Sequence, residues 1–321
     1  MTLPLTSPLL PQLAKGQKQL PEGDGWAFEP KWDGFRAIVF ADGADIEIQS
    51  RNGKSLTRYF PELTFPAGAR CVLDGEIVVR GADGRENFNV LGQRVHPAAS
   101  RIERLSGETP AMLLVFDLLA RGDEVLLERP YLERRAALIE LLDEAGWTDA
   151  PVELTPMVRT QAEAEHWLHD AEGVIAKVAD APYRPGERVG MMKIKRMRTI
   201  DVVVMGWRPG KAEGTVGALI LGLYTPEGTL REIGHSSGFT AKEKRELPAL
   251  LAPLETGARG SGDPSRWTGD KNLEWVELRP ELVAEITFDH VSNGRIRHGT
   301  KVQRWRDDKL PSECLIEQLE A

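Results

Sequence analysis

Lys31 is the side chain whose surroundings in this sequence most suggest covalent chemistry. It stands in the segment EPKWDGFR, residues 29–36, after a short strand-like run and before an Asp-Gly pair. A lysine attacks phosphorus only as the neutral amine, and an ordinary lysine has a pKa of about 10.4. Neighbouring cations, a bound metal ion and partial burial would each lower that pKa. The segment makes Lys31 a candidate nucleophile, although taken alone it fits an exposed turn lysine equally well.

Six further segments follow Lys31 in a fixed order. They are SRNGK (50–54), LDGEIV (73–78), VFDLL (115–119), EGVIAK (172–177), MKIKR (192–196) and RWRDDK (304–309). In this order, with EPKWDGFR, they resemble the covalent nucleotidyltransferases, which comprise ATP-dependent DNA ligases, RNA ligases and mRNA capping enzymes. The segments QRVHPA (93–98) and RHGT (297–300) narrow the resemblance to the bacterial C-type ATP-dependent DNA ligases.

The resemblance implies nucleotide-binding roles for the first of these segments. Lys31 would carry the covalent AMP, and Glu29 would lie beside the adenine, where it can read the purine amine. Arg36 and Arg51 would contact phosphate and ribose, since guanidinium groups bind oxyanions bidentately and stay charged. Arg51 would also read the 5′-phosphate of the nick. Without the resemblance, Glu29 would be interpreted as an exposed strand carboxylate.

Two carboxylates are implied as metal ligands. Glu76 in LDGE would lie near the ribose and the metal, and Glu172 in EGVIAK would bind the metal, because magnesium prefers oxygen ligands. Each alone would be interpreted as a solvated acid. The resemblance also implies that Phe116 stacks on the adenine ring, although a core position in the run AMLLVFDLL fits the pattern equally well.

Three lysines are implied to face the same pocket. Lys177 would point toward the pocket of Lys193 and Lys195. The latter two occupy alternate positions of an expected strand and would therefore share a face, where they could neutralise the α-phosphate. The spacing by itself favours an exposed basic strand.

The C-terminal segment RWRDDK resembles the motif that orients the leaving pyrophosphate. Arg306, Asp308 and Lys309 fit its Arg-x-Asp-Lys core. The family often has a proline and a phenylalanine upstream, where this chain reads HGTKVQ, so no role is assigned to Arg297 or Arg304. The stretch from Arg295 to Lys309 holds six basic and two acidic residues, a patch that suits polyphosphate or DNA if it is not simply solvated.

The elements that must position these residues are mostly short strands. Strand-like runs such as WAFEP, RAIVF, DIEIQS, CVLDGEIVVR and GVIAKV alternate with turns, and two helical stretches interrupt them, at 130–145 and 161–170. After Lys195, strands separated by Gly-rich turns and one helix-like segment, TAKEKREL, indicate a small barrel. We therefore expect an α+β protein: an ATP-grasp-like adenylation domain with antiparallel sheets at 1–198, then an all-β OB-fold domain at 199–321. A hinge is expected near residues 196–201, because the second domain would serve different steps.

Composition limits the remaining possibilities. The chain has 321 residues, 41% of them hydrophobic, and a net charge of −8, which argues against a surface that coats DNA uniformly. Cys71 and Cys314 lack partners at metal-ligand spacing and are predicted to be ordinary buried or half-buried thiols. No apolar run is long enough to span a membrane, so a cytoplasmic protein is expected, and a monomer, since no sustained coiled-coil pattern occurs.

The predicted function is ATP-dependent sealing of nicks in duplex DNA during repair. ATP would be bound as covalent AMP on Lys31, with Mg²⁺ or Mn²⁺ as the metal and nicked duplex DNA as the partner. RNA ligation and GTP-dependent capping stay open as alternatives because they share the nucleophile chemistry. A nucleic-acid-binding module without activity is a third alternative, against which the complete set of motif residues argues.

Overall fold

A computed structural model describes residues 2–81, 84–144, 146–148, 150–261, 274–289, 291–292, 294–296 and 300–319. By internal contacts the chain divides into two compact units, residues 1–196 and 197–321. Arg297, and with it all of the RHGT segment except Thr300, lies outside the described residues. In the part of the chain that is described, no helix is both long and apolar enough to cross a membrane.

The described residues of the first unit form ten strands. In chain order they are β1 (Lys15–Gln17), β2 (Trp26–Pro30), β3 (Phe35–Asp42), β4 (Asp45–Ser50), β5 (Arg70–Val78), β6 (Met112–Arg121), β7 (Glu124–Val125), β8 (Val152–Leu154), β9 (Val174–Val178) and β10 (Met191–Ile194). One sheet has the order β1-β10-β9-β2, and the other has the order β4-β3-β5-β6-β7 with β8 added beside β6. All pairs are antiparallel except β1 with β10 and β6 with β8. Two mainly antiparallel sheets thus carry the motif segments.

Both faces of the larger sheet are buried. Successive residues of β3 point to opposite faces, so Val39 joins the main core while Ile38 and Phe40 join a second cluster that contains Tyr183. In the smaller sheet, Phe28 and Ala176 pack into a third cluster. This alternation leaves the neighbours of Phe28 and Ala176 in β2 and β9 on the opposite face of the smaller sheet.

The helices of the first unit are more numerous than predicted. They are α1 (Phe88–Arg94), α2 (Ala99–Glu108), α3 (Tyr131–Leu142), α4 (Gln161–Ala164) and α5 (Trp167–Asp170). Helix α3 begins directly after Pro130, as predicted. The helical stretch predicted over 161–170 is present as two one-turn helices, α4 and α5. Helices α1 and α2 were not predicted: α1 has seven residues, and α2 buries only Ile102 and Leu105.

In its described part, the second unit is built almost entirely of strands. They are β11 (Arg198–Pro209), β12 (Val216–Tyr224), β13 (Leu230–Ser236), β14 (Glu255–Ser261), β15 (Glu274–Leu278), β16 (Val283–Phe288), β17 (Val291–Ser292), β18 (Arg295–Ile296) and β19 (Lys301–Trp305), with one helix, α6 (Ala241–Leu251). The central strand β11 pairs with β16 along its first half and with β15 near its end. Thr240 and Glu243 form a capping box at the start of α6, which begins in the predicted TAKEKREL segment, 240–247, and continues beyond it to Leu251. A strand-rich unit with one helix after the third strand is consistent with an OB-fold, and the predicted α+β fold class is confirmed.

Short 3₁₀ segments and two thiols complete the described fold. The 3₁₀ segments are Thr57–Tyr59, Ala252–Leu254, Pro311–Glu313 and Ile316–Leu319. Cys71 and Cys314 are both buried free thiols, as predicted. Burial raises the pKa of Cys71 to about 12, which leaves it unreactive at neutral pH.

Replacing Gly173 by alanine is expected to lower the melting temperature by roughly 5 °C or more. Gly173 has a φ of +150°, and a Cβ there would lie 2.2 Å from the carbonyl oxygen of Ile194. Both effects strain the entry into β9. Thermal unfolding monitored by circular dichroism checks the prediction. Gly68→Ala is the control, since a Cβ at Gly68 meets nothing within 4 Å, and equal melting temperatures for the two variants would contradict it.

Candidate active site

Lys31 and Glu172 are joined through both backbone and side chain. The Lys31 N–H donates to the Gly173 carbonyl at 2.8 Å, and the Glu172 N–H donates to the Lys31 carbonyl at 3.2 Å. The Lys31 ammonium forms a salt bridge with Glu172, and the Lys195 ammonium lies 2.6 Å from the other carboxylate oxygen. Burial raises the pKa of Glu172, but the charges of Lys31 and Lys195 outweigh it, so the net pKa is lowered. Glu172 thus holds two lysines side by side as an ionised carboxylate.

The Asp-Gly pair after Lys31 lies directly against the larger sheet. A Cβ on Gly34 would lie 2.2 Å from the Ile77 carbonyl oxygen and 2.8 Å from Cγ of Glu76. Only glycine allows that approach. The sequence K-x-D-G therefore brings the segment that follows Lys31 against β5, next to Glu76.

Lys193 belongs to the same group of cations. It lies in β10 opposite Ile175, and its pKa is lowered, first by burial and then by the charges of Lys195, Lys31 and Arg51. The predicted strand position of Lys195 needs a correction, because β10 ends at Ile194 and Lys195 follows it. Arg51 lies exposed in the turn after β4. A group of like charges around one carboxylate suits a polyanionic ligand.

Glu76 is a half-buried carboxyl group in the same region. Burial raises its pKa to about 7, against the opposing charges of Lys31 and Arg36 and with a contribution from Glu172. Glu76 and Glu172 provide oxygen ligands of the kind that magnesium takes, since it commonly uses one or two carboxylates and completes its shell with water and phosphate. Among the described residues no group of three or more His, Cys, Asp or Glu could hold a metal. The two residues therefore fit a metal shared with a phosphate ligand, and not a metal cage built by the protein alone.

In chelator-treated protein, Glu76→Gln is expected to alter the pH dependence of stability. A carboxyl whose folded pKa is raised binds its proton more tightly in the folded state, so wild-type stability should fall as pH rises from about 5 to 8. The variant should lack this fall. Urea titrations at pH 5, 6, 7 and 8 measure it, with the exposed Glu153→Gln as control. Parallel pH profiles for wild type and Glu76→Gln would count against it.

Glu29 is not the exposed carboxylate that its strand position alone suggested. Its residue surface is only 2% exposed, and Oε2 lies 2.7 Å from the Lys177 ammonium. Burial lowers the pKa of Lys177. Lys177 also lies 4.6 Å from the centroid of the Phe116 ring. Glu29 and Phe116, both predicted to lie at the adenine, are therefore brought together by Lys177, which was predicted to share a pocket with Lys193 and Lys195.

Arg36 also contacts the ring of Phe116, and it is bound to another carboxylate, that of Asp74. Its guanidinium lies 4.5 Å from the Phe116 centroid and forms two hydrogen bonds to Asp74, at 2.5 and 2.6 Å. Asp74 also accepts a hydrogen bond of 2.6 Å from the Tyr183 hydroxyl. These two bonds use Nε and Nη2 of Arg36, so a nucleotide phosphate can be contacted through Nη1 while Asp74 stays bound. Asp74 was not predicted, although it belongs to the LDGE segment.

The C-terminal motif forms an ion-pair network within the second unit. Arg306 binds Asp308 through two hydrogen bonds of 2.8 and 2.9 Å, and both Arg306 and Lys309 lie 2.9 Å from carboxylate oxygens of Asp201. Hydrogen bonding to Arg306 lowers the pKa of Asp308 to about 2. Asp201, in β11, was not predicted, because it is remote in sequence from the motif.

The basic patch is partly neutralised by acids of its own unit. Arg295 pairs with Glu232 and Arg304 pairs with Glu285, besides the Asp201 pairs of Arg306 and Lys309. Pairs of this kind weaken the attraction of a patch for anions, since each acid offsets one cation. The count of basic residues alone therefore overstated the charge available to DNA.

Comparison with known proteins shows the family to which this chain belongs. Residues 8–195 match the family model of the ATP dependent DNA ligase domain, and residues 212–309 match that of the ATP dependent DNA ligase C terminal region. DNA ligase C1 of Mycolicibacterium smegmatis is 45% identical and DNA ligase C of Mycobacterium tuberculosis 41% identical, each over 100% of this chain and 96% of the relative. A solved structure of mycobacterial DNA ligase D complexed with ATP and MES is 31% identical over 96% of this chain and 98% of that one, with a TM-score of 0.53. The chain therefore belongs to the ATP-dependent DNA ligases, and within them to the bacterial C-type group that its motif segments resemble.

Proposed function

We propose that Lys31 is the residue that this DNA ligase adenylates, and that the cluster around Glu172 serves the transfer. The observation that carries the proposal is the shared carboxylate: Glu172 binds Lys31 on one oxygen and Lys195 on the other. In this arrangement the nucleophile is fixed next to a cation that can stabilise negative charge developing on a phosphoryl group.

The proposed reaction has three phosphoryl transfers. The neutral Lys31 amine attacks the α-phosphorus of ATP, which forms a P–N bond and breaks the P–O bond to pyrophosphate. An oxygen of the 5′-phosphate at the nick then displaces Lys31 from AMP. Finally the 3′-hydroxyl attacks the 5′-phosphorus, so that the phosphodiester forms and AMP leaves.

Other residues bind and orient the reactants. Lys193 and Lys195 neutralise the α-phosphate, and Arg51 binds the 5′-phosphate of the nick. Arg36 contacts ribose and phosphate, and Phe116 stacks on the adenine. Stacking would require Arg36 or Lys177, which both lie over the ring, to withdraw from the side that the base occupies.

Glu76 and Glu172 are the proposed ligands of Mg²⁺ or Mn²⁺. A bound divalent ion would add positive charge at the phosphoryl oxygens. Arg306, Asp308 and Lys309 would orient the pyrophosphate. For this, Arg306 and Lys309 would exchange part of their contact with Asp201 for the phosphate oxygens.

Several broader assignments belong to the same proposal. Residues 1–198 would be the adenylation domain and 199–321 the OB-fold domain, which the compact units 1–196 and 197–321 support. The hinge would lie at 195–197, since these residues belong to no strand whereas 198–201 are paired in β11. Nicked duplex DNA is the substrate, and the enzyme would act as a cytoplasmic monomer in DNA repair. The multifunctional end-joining proteins named LigD, which share 34% identity with it, support the repair role.

The test is a two-stage labelling experiment. The protein is incubated with α-labelled ATP or GTP and magnesium, and a duplex with one 5′-phosphorylated nick, in DNA or in RNA, is then added. Label from ATP alone that passes into a sealed DNA strand is the expected result. Label from GTP would indicate capping chemistry, sealing confined to RNA would indicate an RNA ligase, and no label would refute the proposal.

A further inference from the structure

Three buried donors surround the carboxylate of Glu29. Oε1 accepts hydrogen bonds from the Tyr131 hydroxyl and from Nη1 of Arg135, the latter at 3.3 Å. Oε2 accepts from the Lys177 ammonium at 2.7 Å. Tyr131 is 1% exposed, and Arg135 and Lys177 are each 4% exposed. Because all three donors are buried and bind the two carboxylate oxygens, they hold the Glu29 carboxylate in one orientation.

Helix α3 supplies two of the three donors. Tyr131 and Arg135 are four residues apart and therefore lie on one face of the helix. The ring of Tyr131 also lies 4.5 Å from the Lys177 ammonium, so that it packs against the remaining donor. The helix thus fixes Glu29 both directly and through Lys177.

Arg135 extends the same network toward the nucleophile. Its Nη2 donates to the carbonyl oxygen of Thr155, and the Thr155 hydroxyl accepts a hydrogen bond of 3.1 Å from the Trp32 indole. Trp32 directly follows Lys31. Arg135 therefore connects the carboxylate two residues before Lys31 with the side chain one residue after it.

We infer that Tyr131 and Arg135 are positioning residues for base selection, which hold Glu29 ready to accept a hydrogen bond from the 6-amino group of a purine nucleotide. A carboxylate held by three donors remains an acceptor. It therefore bonds a 6-aminopurine and opposes the carbonyl oxygen of a 6-oxopurine. The inference rests on the proposed place of Glu29 beside the adenine and adds the residues that determine its orientation.

The test compares self-adenylation with three nucleotides in wild type and Tyr131→Phe. The nucleotides are ATP, inosine triphosphate, which carries a 6-oxo group, and purine riboside triphosphate, which has no 6-substituent. The preference for ATP over inosine triphosphate, measured as the ratio of their kcat/KM values, should be about tenfold smaller in the variant. This is the size expected for loss of a hydrogen bond to a charged group. The loss should appear as a higher KM for ATP, with kcat nearly unchanged and purine riboside triphosphate used as before.

Tyr183→Phe is the matched control, because it removes the same atom from another buried tyrosine that donates to a carboxylate, Asp74. Its rates are expected to fall, because Asp74 also binds Arg36, but its preference for ATP over inosine triphosphate should equal that of the wild type. Arg135→Lys repeats the test should Tyr131→Phe fail to fold. An equal loss with all three nucleotides, or an unchanged preference, would overturn the inference. If Glu29→Gln reduces the preference for ATP over inosine triphosphate and Tyr131→Phe and Arg135→Lys do not, Glu29 reads the adenine without help from Tyr131 and Arg135, and the inference is wrong. If the wild type takes up no label, both the inference and the proposed function are refuted.

Discussion

Replacing Lys31 by arginine is expected to reduce self-adenylation at least about 10³-fold, as is typical for loss of a covalent nucleophile. Arginine keeps a positive charge beside Glu172 but has no accessible neutral form at the pH of the assay. Lys31→Ala should be equally inactive. Agreement between the two variants would show that a neutral amine is required and that a charge at this position is not sufficient. The readout is covalent label from α-labelled ATP on a denaturing gel.

A pre-adenylated nick, used as the substrate, distinguishes loss of the Lys31 nucleophile from a general loss of structure. Its sealing requires attack by the 3′-hydroxyl and no lysyl-AMP, so both Lys31 variants should retain it within about tenfold of wild type. Lys18→Arg, an identical change at an exposed position, should affect neither step. A Lys31→Arg protein that still labels itself efficiently would refute the assignment of the nucleophile. Loss of both steps would mean that the variant is misfolded or that Lys31 also acts in sealing.

Local patterns predicted the strands that carry the motifs. The run WAFEP coincides with β2, and DIEIQS coincides with β4. Alternation and turn residues determine such elements within a few positions of the chain. Gly34 of K-x-D-G is also recognised from the local sequence. The reason that glycine is needed there, the close approach to the Ile77 carbonyl, is seen only in the fold. The helices between 88 and 108 escaped prediction because they are short and bury few apolar side chains.

The partners of the motif residues could not be predicted, because they come from distant parts of the chain. Tyr131 lies 102 positions from Glu29, and Asp201 lies 105 positions from Arg306. Neither residue has a sequence pattern of its own: Tyr131 looks like the first core residue of a helix, and Asp201 like a polar position in a strand. Buried polar side chains require partners. Once the fold shows that the Glu29 carboxylate is buried, donors such as Tyr131 are therefore expected around it.

Replacing Glu172 by glutamine is expected to slow self-adenylation by about 10²–10³-fold, or roughly 3–4 kcal/mol in the barrier. The neutral amide keeps the shape of the side chain but removes the charge that binds both Lys31 and Lys195. The two ammonium groups would then repel each other without compensation, and the nucleophile would lose its fixed position. Glu172→Asp, which keeps the charge on a shorter side chain, should recover part of the rate.

A magnesium titration separates the two roles assigned to Glu172. If Glu172 also binds the metal, half-saturation of self-adenylation by Mg²⁺ should require at least about tenfold more metal in Glu172→Gln, as for other ligand-shell losses. Glu153→Gln serves as the matched control, because its exposed salt bridge with Arg80 is worth little. If Glu172→Gln adenylates itself slowly but needs the same Mg²⁺ concentration for half-saturation, Glu172 only positions the lysines. Glu76 would then be the one remaining proposed metal ligand. A variant with the wild-type rate would remove the shared carboxylate from the mechanism altogether, because Lys31 and Lys195 would then be positioned without it.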